Sequence, residues 1–298
     1  MPVATVIATF SRRMRLAMAD GTEVDARVRG KRLRPVCGDS VTAEPLPGEP
    51  EWLITDIEPR RNELARPDSR GRAEVLAANV DYLLVVAATE PRPDWFIVDR
   101  YLCAAEMMRA DAGVAFNKAD LLTADDEIRA ALDVYAAIGY DTAFCSACTG
   151  DGLSAVRNLL RNRVAIIVGQ SGVGKSSIIN ALFDDGLQKT GAISEKSGEG
   201  RHTTVNSVLL RLPEGGSVID SPGVRDFAPA LESADNAADG FREISALAAD
   251  CRFANCRHLR EPGCAVKDAA STGRISARRY ESYKRVVNLT RRLTEGRY

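Results

Sequence analysis

The run Gly169-Gln170-Ser171-Gly172-Val173-Gly174-Lys175-Ser176 constrains this chain more than any other stretch, because it fills every fixed position of the pattern G-x-x-x-x-G-K-[ST]. That pattern needs a strand before it and a helix after it. Val164-Ala165-Ile166-Ile167-Val168 reads as a buried parallel strand and Ser176 to Leu182 as the start of a helix. The loop then offers its N–H groups and the helix's positive end to phosphates. Lys175 is placed to reach the β- and γ-phosphates, and Ser176, followed by Ser177, to face a magnesium ion. The chain is expected to bind a nucleoside triphosphate.

Strands alternate with helices on both sides of this loop, which implies a parallel α/β sheet. Tyr82 to Ala87 and Val114 to Phe116 read as buried strands with a helix from Phe96 to Arg109 between them. A helix near Asp125 to Ile138, a strand at Thr142 to Phe144 and a helix from Leu153 to Asn162 follow. Val208 to Leu210 and Ser217 to Ile219 complete the sheet. Directly after the second strand stands Asn117-Lys118-Ala119-Asp120, where a loop at the carboxyl edge meets a ligand. Guanine presents N1–H and N2–H₂ as paired donors that the two oxygens of Asp120 can accept; adenine has no such pair. Asn117 is expected to brace neighbouring loops, Lys118 to lie along the base, and Ser146-Ala147 to offer a backbone N–H to the guanine O6.

Ser217 to Gly223 is a strand ending in D-x-x-G, placing Asp220 toward the metal and the Gly223 N–H toward the γ-phosphate. Between the two phosphate elements, Gly200-Arg201-His202-Thr203-Thr204 suits a segment in which Thr203 or Thr204 closes on the metal. The position after Gly223 is Val224, which cannot orient a water, so His202 is the candidate for that role. The order is permuted: the guanine tetrad precedes the phosphate loop, and D-x-x-G leads straight into the C-terminal region.

That region contains Cys251, Cys256, His258 and Cys264 in the spacing C-x4-C-x-H-x5-C, a closed tetrahedral set suited to a structural zinc ion. Cys37, Cys103, Cys145 and Cys148 have no histidine near them; Cys145-x-x-Cys148 reads as strand-end packing, with a second metal or redox pair as the alternative. Residues 1 to about 61 contain five short alternating segments at Thr5–Ala8, Arg13–Met18, Glu23–Val28, Ser40–Ala43 and Trp52–Ile57, the pattern of a small OB-like or SH3-like barrel. The segment Arg66 to Arg72 reads as a linker. Charge is uneven. Residues 251–298 hold 12 Lys and Arg against 4 Asp and Glu, leaving 28 against 37 in residues 1–250, and Arg27 to Arg34 packs five cations into eight residues. Basic ends of this kind suit contact with a polyanion. No stretch of 18 apolar residues and no secretory-type leader is present, so no membrane role and a cytoplasmic setting are expected.

Together these motifs resemble the circularly permuted GTPases of the ribosome small-subunit-dependent GTPase A family. Arg29-Gly30-Lys31, Gly38-Asp39, Pro59-Arg60-Arg61-Asn62, Ala78-Asn79-Val80-Asp81, Asp99-Arg100-Tyr101-Leu102, His202-Thr203-Thr204, Asp220 to Arg225, Glu261-Pro262-Gly263-Cys264 and Arg278 to Tyr283 extend the likeness across nearly the whole chain. One departure is Val205, where the family usually has a third threonine. The resemblance implies a multidomain protein: an N-terminal OB-fold barrel (1–62), a central α/β circularly permuted P-loop GTPase domain (63–230) and a C-terminal, mainly helical zinc-binding domain (231–298). It also implies a monomer that binds GTP and GDP with Mg²⁺, docks on the 30S subunit and 16S rRNA, and acts late in subunit maturation. Help in releasing a late-assembly factor and slow, subunit-stimulated hydrolysis to GDP and phosphate belong to the same expectation. The family's zinc ligands carry over to Cys251, Cys256, His258 and Cys264, and its catalytic histidine to His202. Two rivals are a GTP-gated RNA-binding module whose hydrolysis is incidental and an ATP-using P-loop enzyme, the second disfavoured by Asp120.

Overall fold

A computed structural model of the chain describes residues 2–10, 13–30, 32–67, 73–122, 126–183, 205–221 and 234–295. Five strands, β1 (Val3–Phe10), β2 (Met14–Met18), β3 (Glu23–Val28), β4 (Ser40–Pro45) and β5 (Trp52–Ile57), pair in the order β1-β2-β3-β5-β4, and β4 returns to β1. This closure with β3 parallel to β5 makes the barrel OB-like rather than SH3-like. Ala4, Val6, Leu16, Ala26, Val41, Ala43 and Ile54 fill it. Strand alternation follows, since one face of each strand meets the interior and the other meets water. β1 and β2 are exceptions: Val6 and Leu16 enter the barrel core while their neighbours Ile7 and Ala17 enter the core of the next module.

Next comes a hairpin of β6 (Glu63–Pro67) and β7 (Ala73–Ala78). The sequence suggests a linker from Arg66; instead Arg66 sits in β6 opposite Glu74, its Nε 3.0 Å from that carboxylate. The cross-strand ion pair holds a strand that proline and glycine punctuation conceals.

The α/β sheet is built from β8 (Tyr82–Ala88), β9 (Asp111–Asn117), β10 (Asp141–Phe144), β11 (Val164–Gly169), β12 (Val205–Arg211) and β13 (Ser217–Asp220), in the order β10-β9-β8-β11-β13-β12. All neighbours are parallel except β12, which runs against β13. Helices α1 (Trp95–Met108), α2 (Asp126–Ile138), α3 (Leu153–Leu160) and α4 (Lys175–Phe183) accompany it. β8 is buried at every position because both its faces are covered: Leu83, Val85 and Ala87 meet one core, Tyr82, Leu84, Val86 and Ala88 the other. At the far side β12 pairs with β1, so barrel and α/β sheet form one eleven-stranded sheet.

The C-terminal part contains a 3-10 stretch (Ala234–Gly240), α5 (Arg242–Ala248), α6 (Ala265–Ser271) and α7 (Ala277–Glu295) around Phe241, Ile244, Val266, Tyr283, Val286 and Val287. Helix α1 is shared between two cores. Val98, Tyr101, Leu102 and Ala105 pack toward the sheet, while Cys103 belongs to the C-terminal core. A helix covered on two sides is apolar nearly all round, as α1 is. Among the described residues no helix is long and apolar enough to cross a membrane.

Candidate functional site

The phosphate loop leaves β11 at Gly169 and enters α4 at Lys175. Its glycines answer to specific neighbours: Gly174 has φ +90° and a Cβ there would meet Asn117 Nδ2 at 2.4 Å, while a Cβ on Gly169 would meet the Val86 carbonyl oxygen at 2.2 Å. Only glycine lets the loop pass so close to the tetrad. Lys175 Nζ donates to the Gly169 and Gln170 carbonyls at 2.8 and 2.7 Å, holding the ammonium over its own loop. Ser171, Gly172, Ser176 and Ser177 are exposed, and Val173 is buried.

Asn117 ends β9 buried at 1% exposure and joins three loops. Its Nδ2 donates to the Val173 carbonyl at 2.9 Å, and its Oδ1 accepts the Ala147 N–H at 3.0 Å. The brace expected of Asn117 is therefore present in hydrogen bonds spanning 56 and 30 residues. Lys118 is in the left-handed region (φ +59°), and its Nζ donates to the carbonyls of Gly172 and Glu90. That turn sends the chain into a 3-10 stretch, Ala119–Leu121, which leaves Asp120 exposed. Ala119 N–H donates to the Cys145 carbonyl at 3.0 Å, fixing the tetrad against the loop that carries Ser146. The N–H groups of Ser146 and Ala147 already donate to the Asp151 carbonyl and to Asn117. An N–H for guanine O6 from this pair would be shared with the Asp151 carbonyl (Ser146) or with Asn117 (Ala147).

The loop between β8 and α1 was not among the expected site elements, yet it lines the cradle. Thr89 Oγ1 donates to the Lys118 carbonyl at 3.2 Å, Glu90 O accepts from Lys118, and the Asp94 N–H donates to Gln170 Oε1 at 3.3 Å. Topology was the available signal, since β8 lies between β9 and β11 and the loop after it must emerge at the same edge. Asp220 ends β13, one residue past the Ile219–Ile166 pairing with β11, at the edge where the phosphate loop begins. His202, Thr203, Thr204, Gly223 and Val224 lie outside the described residues.

In the C-terminal part, the ligand atoms of Cys251, Cys256, His258 and Cys264 lie within 4.8 Å of one another. His258 Nδ1 stands 3.4 Å from Cys251 Sγ and 3.5 Å from Cys264 Sγ, and those two sulfurs are 3.8 Å apart. A tetrahedron with Zn–S of about 2.3 Å and Zn–N of about 2.0 Å has edges of about 3.8 and 3.5 Å, so the donor set fits such an ion. Burial pushes the His258 pKa down, which favours the neutral imidazole a metal requires. Glu261 pins the ligand loop by accepting N–H groups of Arg257, Leu259 and Arg260 at 3.2, 3.0 and 3.0 Å. Burial raises its pKa, but these and its own N–H outweigh that and hold it at about 2. From α7, Tyr280 and Tyr283 hydroxyls each donate at 2.7 Å, to the His258 and Arg257 carbonyls.

A phosphate loop and a guanine tetrad joined at one sheet edge, in permuted chain order, define a circularly permuted P-loop GTPase with a C-terminal Cys/His cluster that could hold a metal ion. The RsgA GTPase family model matches residues 57–229. A curated relative from Marinobacter nauticus, named small ribosomal subunit biogenesis GTPase RsgA, is 43% identical over 256 residues, covering 85% of this chain and 73% of its own length. A relative of the same name from Saccharophagus degradans is 39% identical over 293 residues, covering 95% and 85%. The crystal structure of YjeQ from Thermotoga maritima superposes with a TM-score of 0.75 at 27% identity, covering 97% of this chain and 98% of that one. YloQ, described as a circularly permuted GTPase, shares the fold with a TM-score of 0.74 at 24% identity over 98% and 95%. The chain belongs to the RsgA GTPase family and is a GTP-hydrolysing enzyme.

Proposed function

We propose that this enzyme binds the 30S subunit and 16S rRNA, acts late in small-subunit maturation to help release an assembly factor, and hydrolyses GTP faster on the subunit. Support comes from relatives that bear the name of a small ribosomal subunit biogenesis GTPase. The observation that carries the reading is the Asn117 side chain, which bonds to both the phosphate loop and the Ala147 loop and so makes one pocket out of separate segments. Arg27, Arg29, Arg32 and Arg34 are exposed on the barrel, and Arg252, Arg257 and Arg260 with Phe253 are exposed around the cysteine cluster, a basic surface with an aromatic suited to RNA. The domain limits we adopt are 1–62, 63–230 and 231–298, in a monomer of the cytoplasm.

Within the pocket, Asp120 selects the base and Lys175 exchanges its loop carbonyls for the β- and γ-phosphates. Ser176 and Asp220, with Thr203 or Thr204, would hold Mg²⁺, which would offset the charge of the triphosphate. His202 positions the attacking water, since Val224 has no polar group. The Cys251–Cys256–His258–Cys264 site holds structural zinc. The test measures GTP turnover alone and with purified small or large subunits. Stimulation by small subunits alone is expected; equal rates in all three would sink the ribosomal assignment. With small subunits present, His202→Ala should cut turnover with little loss of GTP affinity, and unchanged turnover removes His202 from the mechanism.

A further inference from the structure

We propose that Ser207 is a positioning residue for GTP hydrolysis, tying the segment after Asp220 to the barrel, so that a change at the nucleotide is carried into β1. The inference rests on the reading of Asp220 as a ligand of the nucleotide's metal. Ser207 sits on β12 with both edges of its strand occupied nearby: Thr9 of β1 is its partner on one side, and Asp220 of β13 faces its neighbour Val208 on the other. A strand hydrogen-bonded along both edges cannot shift without moving a neighbour.

The Ser207 side chain is 6% exposed, and its hydroxyl donates to Ser221 Oγ at 2.9 Å. Ser221 directly follows Asp220 in D-S-P-G. A buried hydroxyl requires a partner, and this one has it on the segment leading to the γ-phosphate-sensing glycine. On the other side, the β1–β12 ladder changes register between Thr9 and Phe10. Such a bulge bends and twists a strand locally, at the place where β1 meets Ser207. Ile7 and Val6, packed into different cores, extend the same strand from the α/β module into the barrel. The chain of contact runs from Asp220 through Ser221 and Ser207 to Thr9 of β1, the strand whose Ala4 and Val6 line the barrel interior.

The experiment uses the full chain, with single-turnover GTP hydrolysis, GDP affinity and hydrogen exchange at β1. Ser207→Ala and Ser221→Ala should each slow hydrolysis about fivefold, the effect of one neutral hydrogen bond, with GDP affinity unchanged. The double variant should be no slower than either single, because both remove the same contact. Ser207→Thr, which keeps the hydroxyl, should restore the rate. Amides of Ala8 to Phe10 should exchange differently with GDP and with a non-hydrolysable GTP analogue, and this difference should shrink in Ser207→Ala. Wild-type hydrolysis in folded Ser207→Ala, additive losses in the double variant, or nucleotide-independent exchange at β1 would each overturn the proposal. Should Ser207→Ala not fold, the half-buried Ser221→Ala carries the same expectation and the same power to refute. Asp220→Asn separates the levels: a wild-type rate there removes the metal-ligand reading and this inference with it, whereas a lost rate alongside normal Ser207→Ala removes the coupling alone.

Discussion

The α/β module has two junctions of opposite construction. Toward the barrel it is joined by backbone: β12 and β1 share a ladder, and Ala78 N–H donates to the Cys37 carbonyl. A few side chains support that side: Arg61 pairs with Asp81 at 2.8 Å, Asn79 Nδ2 donates to the Gly38 carbonyl at 2.9 Å, and just inside the barrel Arg60 holds the fully buried Asp39 at 2.7 and 2.9 Å. Toward the C-terminal helices the recorded polar ties run through side chains. Asp99 of α1, 0% exposed, accepts Arg278 and Arg279 of α7 at 3.0 and 2.9 Å and Tyr135 at 2.6 Å, and Arg279 continues in a two-point pair to Glu243. Burial alone would push the Arg279 pKa down; Asp99 and Glu243 reverse that and keep it charged. A ladder is insensitive to residue identity, whereas a buried charge network fails when one member is lost. The barrel is thus a continuation of the sheet, and the C-terminal module is a part that can be uncoupled.

The largest expected effect is removal of the zinc proposed for the Cys251–Cys256–His258–Cys264 site. Structural zinc sites bind with on the order of 10 kcal/mol, which for a module this small is folding free energy. Since α7 carries both the tyrosines that hold the ligand loop and the arginines that hold Asp99, chelation should unfold the C-terminal helices and open that junction. Calorimetry should then show a smaller unfolding enthalpy, the share of the C-terminal module being lost, while β1 amides keep their protection. An unchanged unfolding enthalpy after verified metal loss would break the comparison.

Next in size is Asp99→Ala, which leaves Arg279 buried with half of its partners and should cost about 3 kcal/mol by urea unfolding. The loss should appear as exposure of α7 to protease, with exchange at β1 unchanged. Arg60→Ala at the other junction should cost less, about 1–2 kcal/mol, because Arg60 is 20% exposed and Asp39 keeps the Val36 N–H at 2.8 Å. Equal costs at the two sites would argue against the contrast drawn above.

How much of this was legible differs between the same regions. Glu23–Val28 and Trp52–Ile57 were recognised to the residue, because barrel strands carry a period-two pattern in their own sequence. Phosphate loop and tetrad were equally plain, being side chains at fixed local spacing. The loop from Thr89 to Asp94 was not, because Lys118 meets the carbonyls of Glu90 and Gly172, groups that every residue possesses. Arg278 and Arg279 were counted in a basic C-terminal surface, but Arg279 is 0% exposed and faces Asp99, 180 residues away. No local pattern distinguishes a cation that meets water from one that crosses to a buried acid.

The smallest expected effects concern one buried thiol at each junction. Cys37 lies beside the barrel ladder and Cys103 between α1 and the C-terminal core, and burial pushes both up to about 12 from an ordinary value of 9. The folded chain keeps these protons where the unfolded chain loses them. Their contribution to stability is therefore complete below pH 9 and declines as pH rises toward 12, by about 1.4 kcal/mol per unit for each thiol. Urea unfolding between pH 9 and 11 should show this slope, and Cys37→Ala or Cys103→Ala should each remove its own share. Near pH 8 neither thiol should react with an alkylating reagent, while exposed Cys148 should. After chelation the two ought to diverge, Cys103 becoming reactive in peptide maps as the C-terminal core opens and Cys37 staying protected by the ladder. Simultaneous labelling of both would mean that the barrel side gives way with the helical side, and the backbone junction would lose its claim to independence.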